Sequence, residues 1–105
     1  MKRVLLDHCV PRPFRKLLAG CVVSTAFEMN WAQLKNGELL KAAEGAGFEI
    51  LITSDKNLRY QQNLAVRNIA IIELPTNRLK ELTKYAAHVN TLLPVIHAGA
   101  YVLIA

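Results

Sequence analysis

The sequence predicts an α/β fold in which a mainly parallel central sheet carries helices on both faces. Short apolar runs alternate with segments whose apolar residues recur at helical spacing, which is the pattern of β–α–β units. Two of the runs, 50–53 and 69–72, are apolar at almost every position, as is typical of strands buried on both faces of a parallel sheet. Of the 105 residues, 52% are hydrophobic and 20% are charged, so we predict one folded domain spanning residues 1–105.

The N-terminal segment is predicted to form a strand, a helix and a second strand. The two strands correspond to the short apolar runs 4–6 and 21–23. Between them, Pro11 and Pro13 favour the start of a helix, because proline is tolerated in a first helical turn. Gly20 is placed to end that helix, since glycine readily adopts the left-handed conformation found there.

A longer helix is predicted to begin near Asn36, which is a good N-cap residue. Its apolar side chains fall on one helix face, and two glycines near residue 46 end it. The strand at 50–53 follows, and a short helix is expected after Asp55. The apolar face consists of Leu39, Leu40, Ala43 and Ala46.

The C-terminal third is predicted to contain a strand, one long helix and a last strand. After the strand at 69–72, apolar periodicity over 79–93 predicts an amphipathic helix that Pro94 ends. The last strand is expected at 100–104. A cationic row on the opposite side of the helix, interpreted as a solvated face, consists of Lys80, Lys84 and His88.

The charge distribution and the cysteine content narrow the functional classes. The net charge is +5, and residues 1–20 hold five cations against one acid, which favours phosphate-bearing partners; solubility is the alternative. Two cysteines make no disulfide framework. No apolar run reaches the ~20 residues of a membrane span, and the first apolar run is too short for a signal peptide, so we expect a cytoplasmic protein without a membrane partner. The five cations of residues 1–20 are Lys2, Arg3, Arg12, Arg15 and Lys16.

Three acidic residues are placed where one edge of the predicted sheet could gather them. Asp7 directly follows the first strand, Asp55 follows the strand at 50–53, and Glu38 lies in the first turn of the helix that precedes that strand. In open α/β sheets, sites lie outside the carboxyl ends of the strands. Carboxylates that converge repel one another unless a cation compensates, and Mg²⁺ or Mn²⁺ suits such ligands. A metal there can activate a water and hold a phosphodiester.

Each acid also has a purely structural interpretation. Asp55 could cap the helix after it, and Glu38 could interact with the helix dipole. Asp7 has neither a helix N-terminus nor an arginine beside it in the sequence. A fourth strand-end acid, Glu73, is interpreted as a solvated loop charge. We predict Asp7 and Asp55 as metal ligands, with Glu38 as a third ligand or as the base that orients the water.

Side chains with hydrogen-bond donors are concentrated in the segment after Asp55. Such donors suit contacts with phosphates and with the edges of bases. Lys56, Asn57 and Arg59 are the predicted RNA-binding residues of this segment. Arg12 and Lys35 are further candidates, because they lie close to the proposed ligands or on the same strand-exit loops. A solvated helix and turn is the alternative interpretation of the segment.

These motifs resemble the PIN-like nucleases, in particular a short group associated with toxin–antitoxin systems. The resemblance spans about residues 1 to 74. It implies a PIN-like, Rossmannoid three-layer sandwich, hydrolysis of RNA that depends on Mg²⁺ or Mn²⁺, and an antitoxin protein as partner. The motifs that carry it are VLLD at 4–7 with Pro11, NGELL at 36–40, ITSDKNL at 52–58 and QQNL at 61–64.

The resemblance assigns the acids residue by residue. Asp7 matches the family's first acid, and Asp55 matches the acid of its Thr-x-Asp segment. Asn36 and Asn57 stand where relatives often carry further acids, with Glu38 two residues after the first of these. Fewer carboxylates predict weak metal affinity and slow turnover.

Two functions of different class follow from the sequence. The first is a metal-dependent endoribonuclease of the toxin type. The alternative is a catalytically weak PIN-like module that binds RNA or a protein partner, either an antitoxin or a second copy of the chain. A phosphoacceptor receiver is disfavoured, because only Asp7 stands at the first strand and no lysine follows Lys84.

Overall fold

Five strands form one parallel sheet. The strands are β1 (Lys2–Leu6), β2 (Cys21–Thr25), β3 (Ile50–Thr53), β4 (Ala70–Glu73) and β5 (Tyr101–Leu103). In the computed structural model, which describes residues 1–56, 58 and 67–105, their order is β2–β1–β3–β4–β5 and every pairing is parallel. The prediction of a mainly parallel α/β sheet is confirmed.

Helical segments connect the strands. The described helices are a 3₁₀ helix (Arg12–Leu17), α1 (Asn36–Gly45), α2 (Leu79–Leu82), a 3₁₀ turn (Thr83–Tyr85) and α3 (Ala86–Leu92). None of these has the length and hydrophobicity that a membrane-spanning helix requires. The short helix predicted after Asp55 falls mostly outside the described residues.

The strands alternate their side chains between two apolar layers, as a sheet buried on both faces requires. In β1, Val4 and Leu6 point to one layer and Leu5 to the other. The first layer is covered by the 3₁₀ helix and by α2 and α3, and we call it the α3 face. The second is covered by α1, and we call it the α1 face. Helices therefore lie on both faces, as predicted.

The connection from β4 to β5 has the opposite hand to the connections from β1 to β2 and from β2 to β3. The 3₁₀ helix leads from β1 to β2, the outer strand on one side of the sheet. The helix α3 leads from β4 to β5, the outer strand on the other side, and both helices lie on the α3 face. Two crossovers that run in opposite directions on one face have opposite hands. Since α1 crosses from β2 to β3 on the other face, it has the same hand as the β1–β2 connection, and the β4–β5 connection has the other hand. Nearly all such crossovers are right-handed, so a sheet that contains both hands departs from that rule.

This placement brings α3 against the end of the 3₁₀ helix. The amide Nδ2 of Asn90 donates to the carbonyl of Leu17 at 2.9 Å. Its Oδ1 accepts from the backbone N–H of Ala19, also at 2.9 Å. One asparagine thus satisfies two backbone groups where the helix stops, which fixes α3 to the segment that follows β1.

Two predicted helices differ from their expected form. The segment after Pro11 is a 3₁₀ helix and not an α-helix, and of its apolar side chains Phe14 alone is buried while Leu17 is 37% exposed. Pro13 removes a backbone donor from this short segment, which favours a tight turn. Gly20 has a φ of +70°, as expected for a residue beyond a helix end.

The predicted long helix at 79–93 is interrupted by the 3₁₀ turn between α2 and α3. Its apolar face is nevertheless continuous, and the cationic row on the other side is exposed, as predicted. The helix at Asn36 begins one residue earlier than expected, with Lys35 in the N-cap position. The buried residues of the apolar face are Leu82, Ala86, Val89 and Leu93.

Candidate functional site

Buried polar side chains gather at one edge of the sheet. Within the described residues, four polar or charged side chains are buried: Asp7, Thr25, Thr53 and Glu73. Asp7 directly follows β1, and the other three are the last residues of β2, β3 and β4. Burial of polar groups is costly unless they are hydrogen-bonded, so their concentration at the carboxyl edge marks it as the candidate site.

The carboxylate of Asp7 is held in one orientation. It is 6% exposed, and its Oδ2 accepts a hydrogen bond from the Thr53 hydroxyl at 2.8 Å. Its Oδ1 accepts from the backbone N–H of His8 at 2.7 Å and lies 2.8 Å from Nδ1 of the same residue. The side chain is therefore fixed between β1 and β3.

Thr53 links the two acids of the site. Its Oγ1 donates to Asp7 and accepts from the backbone N–H of Asp55 at 3.0 Å. The loop after β3 is also tied to the loop after β1, because the backbone N–H of Ser54 points to Sγ of Cys9 at 3.5 Å. Thr53 was not predicted as a site residue, although the Thr-x-Asp spacing was a signal for its role.

Asp7 and Asp55 line the same cleft. Its volume is about 210 Å³, and its other lining residues are His8, Leu34 and Lys35. The cleft lies where the strand order reverses, since β2 pairs with one side of β1 and β3 with the other. Ligands of open α/β sheets bind at this kind of reversal.

Glu38 is exposed and does not line this cleft. It lies one turn beyond Lys35, and its backbone N–H donates to the Lys35 carbonyl at 3.0 Å. In the part of the chain that the structure describes, no group of three or more His, Cys, Asp or Glu side chains is arranged to hold a metal ion. The shared metal site of Asp7, Glu38 and Asp55 stays a prediction.

A second cavity adjoins the cleft and shares two of its residues. It has a volume of about 400 Å³ and is lined by Asp7 and His8 together with Arg12 and Phe27. Phe27 is 73% exposed, and Arg12 is exposed as well. The remaining lining residues are Val10, Pro11, Thr25 and Ala32.

The predicted RNA-binding residues are placed differently from one another. Lys35 lines the cleft and Arg12 the adjoining cavity. Lys56 is exposed directly after Asp55. Asn57 and Arg59 lie outside the described residues.

Most of the cations near the N-terminus serve structural contacts. Nζ of Lys2 donates to the Ile96 carbonyl at 2.8 Å. The Arg3 guanidinium bonds the carbonyl of Ala46 and stacks over the ring of Phe48.

Arg15 is also engaged, in an ion pair with Glu28 at 2.6 Å. The hydrogen bond from Arg15 is the main cause that lowers the pKa of Glu28 to about 2. Arg12 is the one cation of residues 1–20 that lines either cavity at the carboxyl edge.

The interpretation of Glu73 as a solvated loop charge is wrong. The residue is 4% exposed and ends β4, in register with Thr53. Its Oε1 accepts a hydrogen bond from the Tyr101 hydroxyl at 2.5 Å. The sheet extends one residue beyond the apolar run, so the carboxyl group is buried with a neutral donor from β5.

No family model matches the sequence, and comparisons with curated proteins and with solved structures return no match. The strand order is one that flavodoxin and CheY folds also use, and a shared order does not assign a function. Two carboxylates, a lysine, an arginine and an exposed aromatic ring meet at the carboxyl edge, a set suited to a hard cation and a phosphate-bearing ligand.

Proposed function

We propose that this chain is a PIN-like, metal-dependent endoribonuclease of the toxin type, which hydrolyses RNA phosphodiester bonds. One observation carries the proposal: Asp7 and Asp55 line one cleft at the strand-order reversal, and Thr53 hydrogen-bonds both residues. These are the two acids that the resemblance assigns to the nuclease site. An RNA substrate and an antitoxin protein are the partners that the proposal entails.

The donors at the cleft fit Mg²⁺ or Mn²⁺. In phosphate-processing sites Mg²⁺ is commonly held by one or two carboxylates, with waters and substrate phosphates completing its coordination. A carboxylate has about four acceptor positions. Among the described residues, the Asp7 carboxylate accepts from Thr53 and contacts the two nitrogens of His8. These partners use at most three positions and leave one on Oδ2 for a cation.

Each residue around Asp7 and Asp55 has a separate role in the proposed mechanism. Asp7 and Asp55 would hold the ion, which when bound supplies a nucleophilic water and neutralises charge on the phosphate. Thr53 positions both acids. Lys35, in the same cleft, and Lys56, next to Asp55, offer positive charge to the RNA backbone. Glu38, one turn along α1, is the acid available to orient a water.

The test is an RNA cleavage assay with Mn²⁺, Mg²⁺ or EDTA on the wild type and on Asp7→Asn. We expect cleavage with Mn²⁺ and weaker cleavage with Mg²⁺, because few carboxylates supply the charge. We expect none in EDTA or in the variant, since Asp7→Asn removes an anionic ligand. Binding of RNA in EDTA should be retained by the variant, because no cation is lost.

The matched control is Glu81→Gln, which removes an exposed acid of α2 that lines neither cavity. It should cleave RNA as the wild type does. Cleavage that persists in EDTA, or equal cleavage by the wild type and Asp7→Asn, would contradict the proposal.

A second candidate is the catalytically weak module that binds RNA or a protein partner. The observation that favours it is Lys35, whose side chain lines the cleft together with both acids. An ammonium group there can supply charge compensation that a metal ion would otherwise supply. Wild-type protein that binds RNA but cleaves it with neither metal would select this candidate.

A further inference from the structure

The cavity beside the cleft combines an exposed aromatic ring with a cation. Phe27 is 73% exposed, and it lines this cavity together with Arg12 and Asp7. Because Asp7 also lines the cleft, the aromatic ring and the acid pair belong to one continuous surface.

The turn that carries Phe27 is held rigidly. The backbone N–H of Thr25 donates to Oε1 of Glu28 at 2.9 Å, and the backbone N–H of Glu28 donates back to Oγ1 of Thr25 at 3.1 Å. Arg15 fixes the other carboxylate oxygen of Glu28 at 2.6 Å. Asn30 closes the turn with a φ of +61° and a hydrogen bond to the Phe27 carbonyl. The ring is therefore presented to solvent by an ordered turn.

Phe48 and Trp31, by contrast, belong to the core of the α1 face. Phe48 is 2% exposed, and Trp31 packs edge-on against it with ring centroids 6.0 Å apart. Tyr60 lies outside the described residues. Of the aromatic residues in the described part of the chain, Phe27 is the one that lines either cavity at the carboxyl edge.

A nucleobase fits this surface better than a protein does. Stable protein interfaces bury about 800 Å² on each partner, whereas one phenylalanine ring offers far less. A ring with a neighbouring cation matches the two parts of a nucleotide, since bases stack on aromatic rings and arginine binds phosphate.

We propose that Phe27 and Arg12 form a nucleotide subsite next to the acid cleft. Phe27 stacks on an unpaired base and Arg12 contacts the adjoining phosphate, so that the neighbouring phosphodiester lies at Asp7 and Asp55. The identity of the polymer as RNA rests on the proposed function. Because a stacked base must leave its partner strand, the subsite selects single-stranded segments.

The experiment measures fluorescence anisotropy of a labelled single-stranded RNA of about ten nucleotides, in EDTA so that cleavage does not interfere. Phe27→Ala should weaken binding about tenfold, as loss of one stacking contact does, and Phe27→Trp should restore it. Val95→Ala removes another exposed apolar side chain, 61% exposed and in neither cavity, and should bind as the wild type does. Arg12→Ala should lower the slope of log affinity against log salt by about one.

A duplex RNA is the second probe, and Phe27→Ala should leave its binding unchanged. Wild-type affinity of Phe27→Ala for single-stranded RNA would overturn the subsite, as would failure of the wild type to bind that RNA. A change of sedimentation coefficient in Phe27→Ala without a change in RNA affinity would assign the ring to a protein interface, which also overturns it.

The two proposals fail separately. Binding that depends on Phe27 without cleavage under any metal would reject the nuclease and keep the subsite. Metal-dependent cleavage that Phe27→Ala leaves unchanged in both KM and kcat would reject the subsite and keep the nuclease.

Discussion

The amino edge of the sheet, where the parallel strands begin, and the carboxyl edge, where they end, each have charged residues and a small cavity. The charged residues have different hydrogen-bond partners at the two edges. The cavity at the amino edge has a volume of about 220 Å³ and is lined by Lys2, Glu44 and Glu49 among others. There, Glu44 pairs with Arg67 at 2.8 Å and accepts from the backbone N–H of Asn68 at the same distance. These contacts tie α1 to the segment before β4.

At the carboxyl edge, the cleft is almost the same size, about 210 Å³, but within the described residues its buried acid is held by a hydroxyl, a backbone amide and an imidazole, with no lysine or arginine ion pair. The partners of Asp7 are the Thr53 hydroxyl and the backbone and ring nitrogens of His8. The Glu44 charge is compensated by the permanent charge of Arg67, whereas a carboxylate without a lysine or arginine partner keeps more of its charge available to a ligand. Cavity size does not distinguish the two edges, and hydrogen bonding does.

Among the variants that test this difference between the two edges, Thr53→Val should have the largest effect. Valine keeps the branched shape but removes the hydroxyl that donates to Oδ2 of the buried Asp7 carboxylate, which should lower the free energy of unfolding by about 1–3 kcal/mol. It should also lower kcat of RNA cleavage at least tenfold, as loss of a group that orients a metal ligand does. Denaturant unfolding and cleavage kinetics measure the two effects.

Thr53→Ser is the control for this variant, because it restores the hydroxyl and should recover most of kcat. A Thr53→Val protein that is destabilised but cleaves RNA at the wild-type rate would show that the hydroxyl has a structural role alone.

At the amino edge, Glu44→Gln should affect stability alone. Loss of the ion pair with Arg67 should lower the free energy of unfolding by about 1 kcal/mol or less, since the pair is partly exposed. RNA cleavage and RNA binding should not change. A loss of cleavage comparable to that of Thr53→Val would show that the two edges are not functionally distinct.

The smallest effect is expected from Glu28→Gln and concerns the melting temperature. Glu28 fixes the turn that contains Phe27. Because Arg15 lowers the pKa of Glu28 to about 2, from an ordinary value of 4.5, the carboxylate stabilises the fold fully above pH 4.5. That contribution is lost as the pH falls from 4.5 toward 2. The melting temperature of Glu28→Gln should therefore be lower than that of the wild type at pH 6, and the difference should shrink as the pH falls toward 2.

Particular elements show what the sequence could predict. The strands β3 and β4 were predicted within one residue, because a strand buried on both faces leaves an uninterrupted apolar run. Glu73 was misinterpreted because the sheet continues past such a run where the hydroxyl of Tyr101 can satisfy a buried carboxyl group. Tyr101 lies on the neighbouring strand β5, which is far along the chain from β4.

Long-range features of the fold and the site had no local signal. The hand of the β4–β5 connection depends on which face α3 packs against, and periodicity does not encode that choice. Asp7 and Asp55 were placed at one edge by strand-end position alone, and the structure brings both to one cleft. Phe27 was missed because one aromatic residue in a turn forms no pattern.

Whether Asp7 and Asp55 bind one metal ion is tested by measuring Mn²⁺ binding through electron paramagnetic resonance of the free ion. The measurement compares the wild type with Asp7→Asn and Asp55→Asn, and with Glu44→Gln as an acid-to-amide control at the other edge. We expect one Mn²⁺ bound by the wild type and by Glu44→Gln, with affinity at least about tenfold weaker in each aspartate variant. Equal Mn²⁺ affinity in all four proteins, or a loss confined to Glu44→Gln, would contradict this expectation.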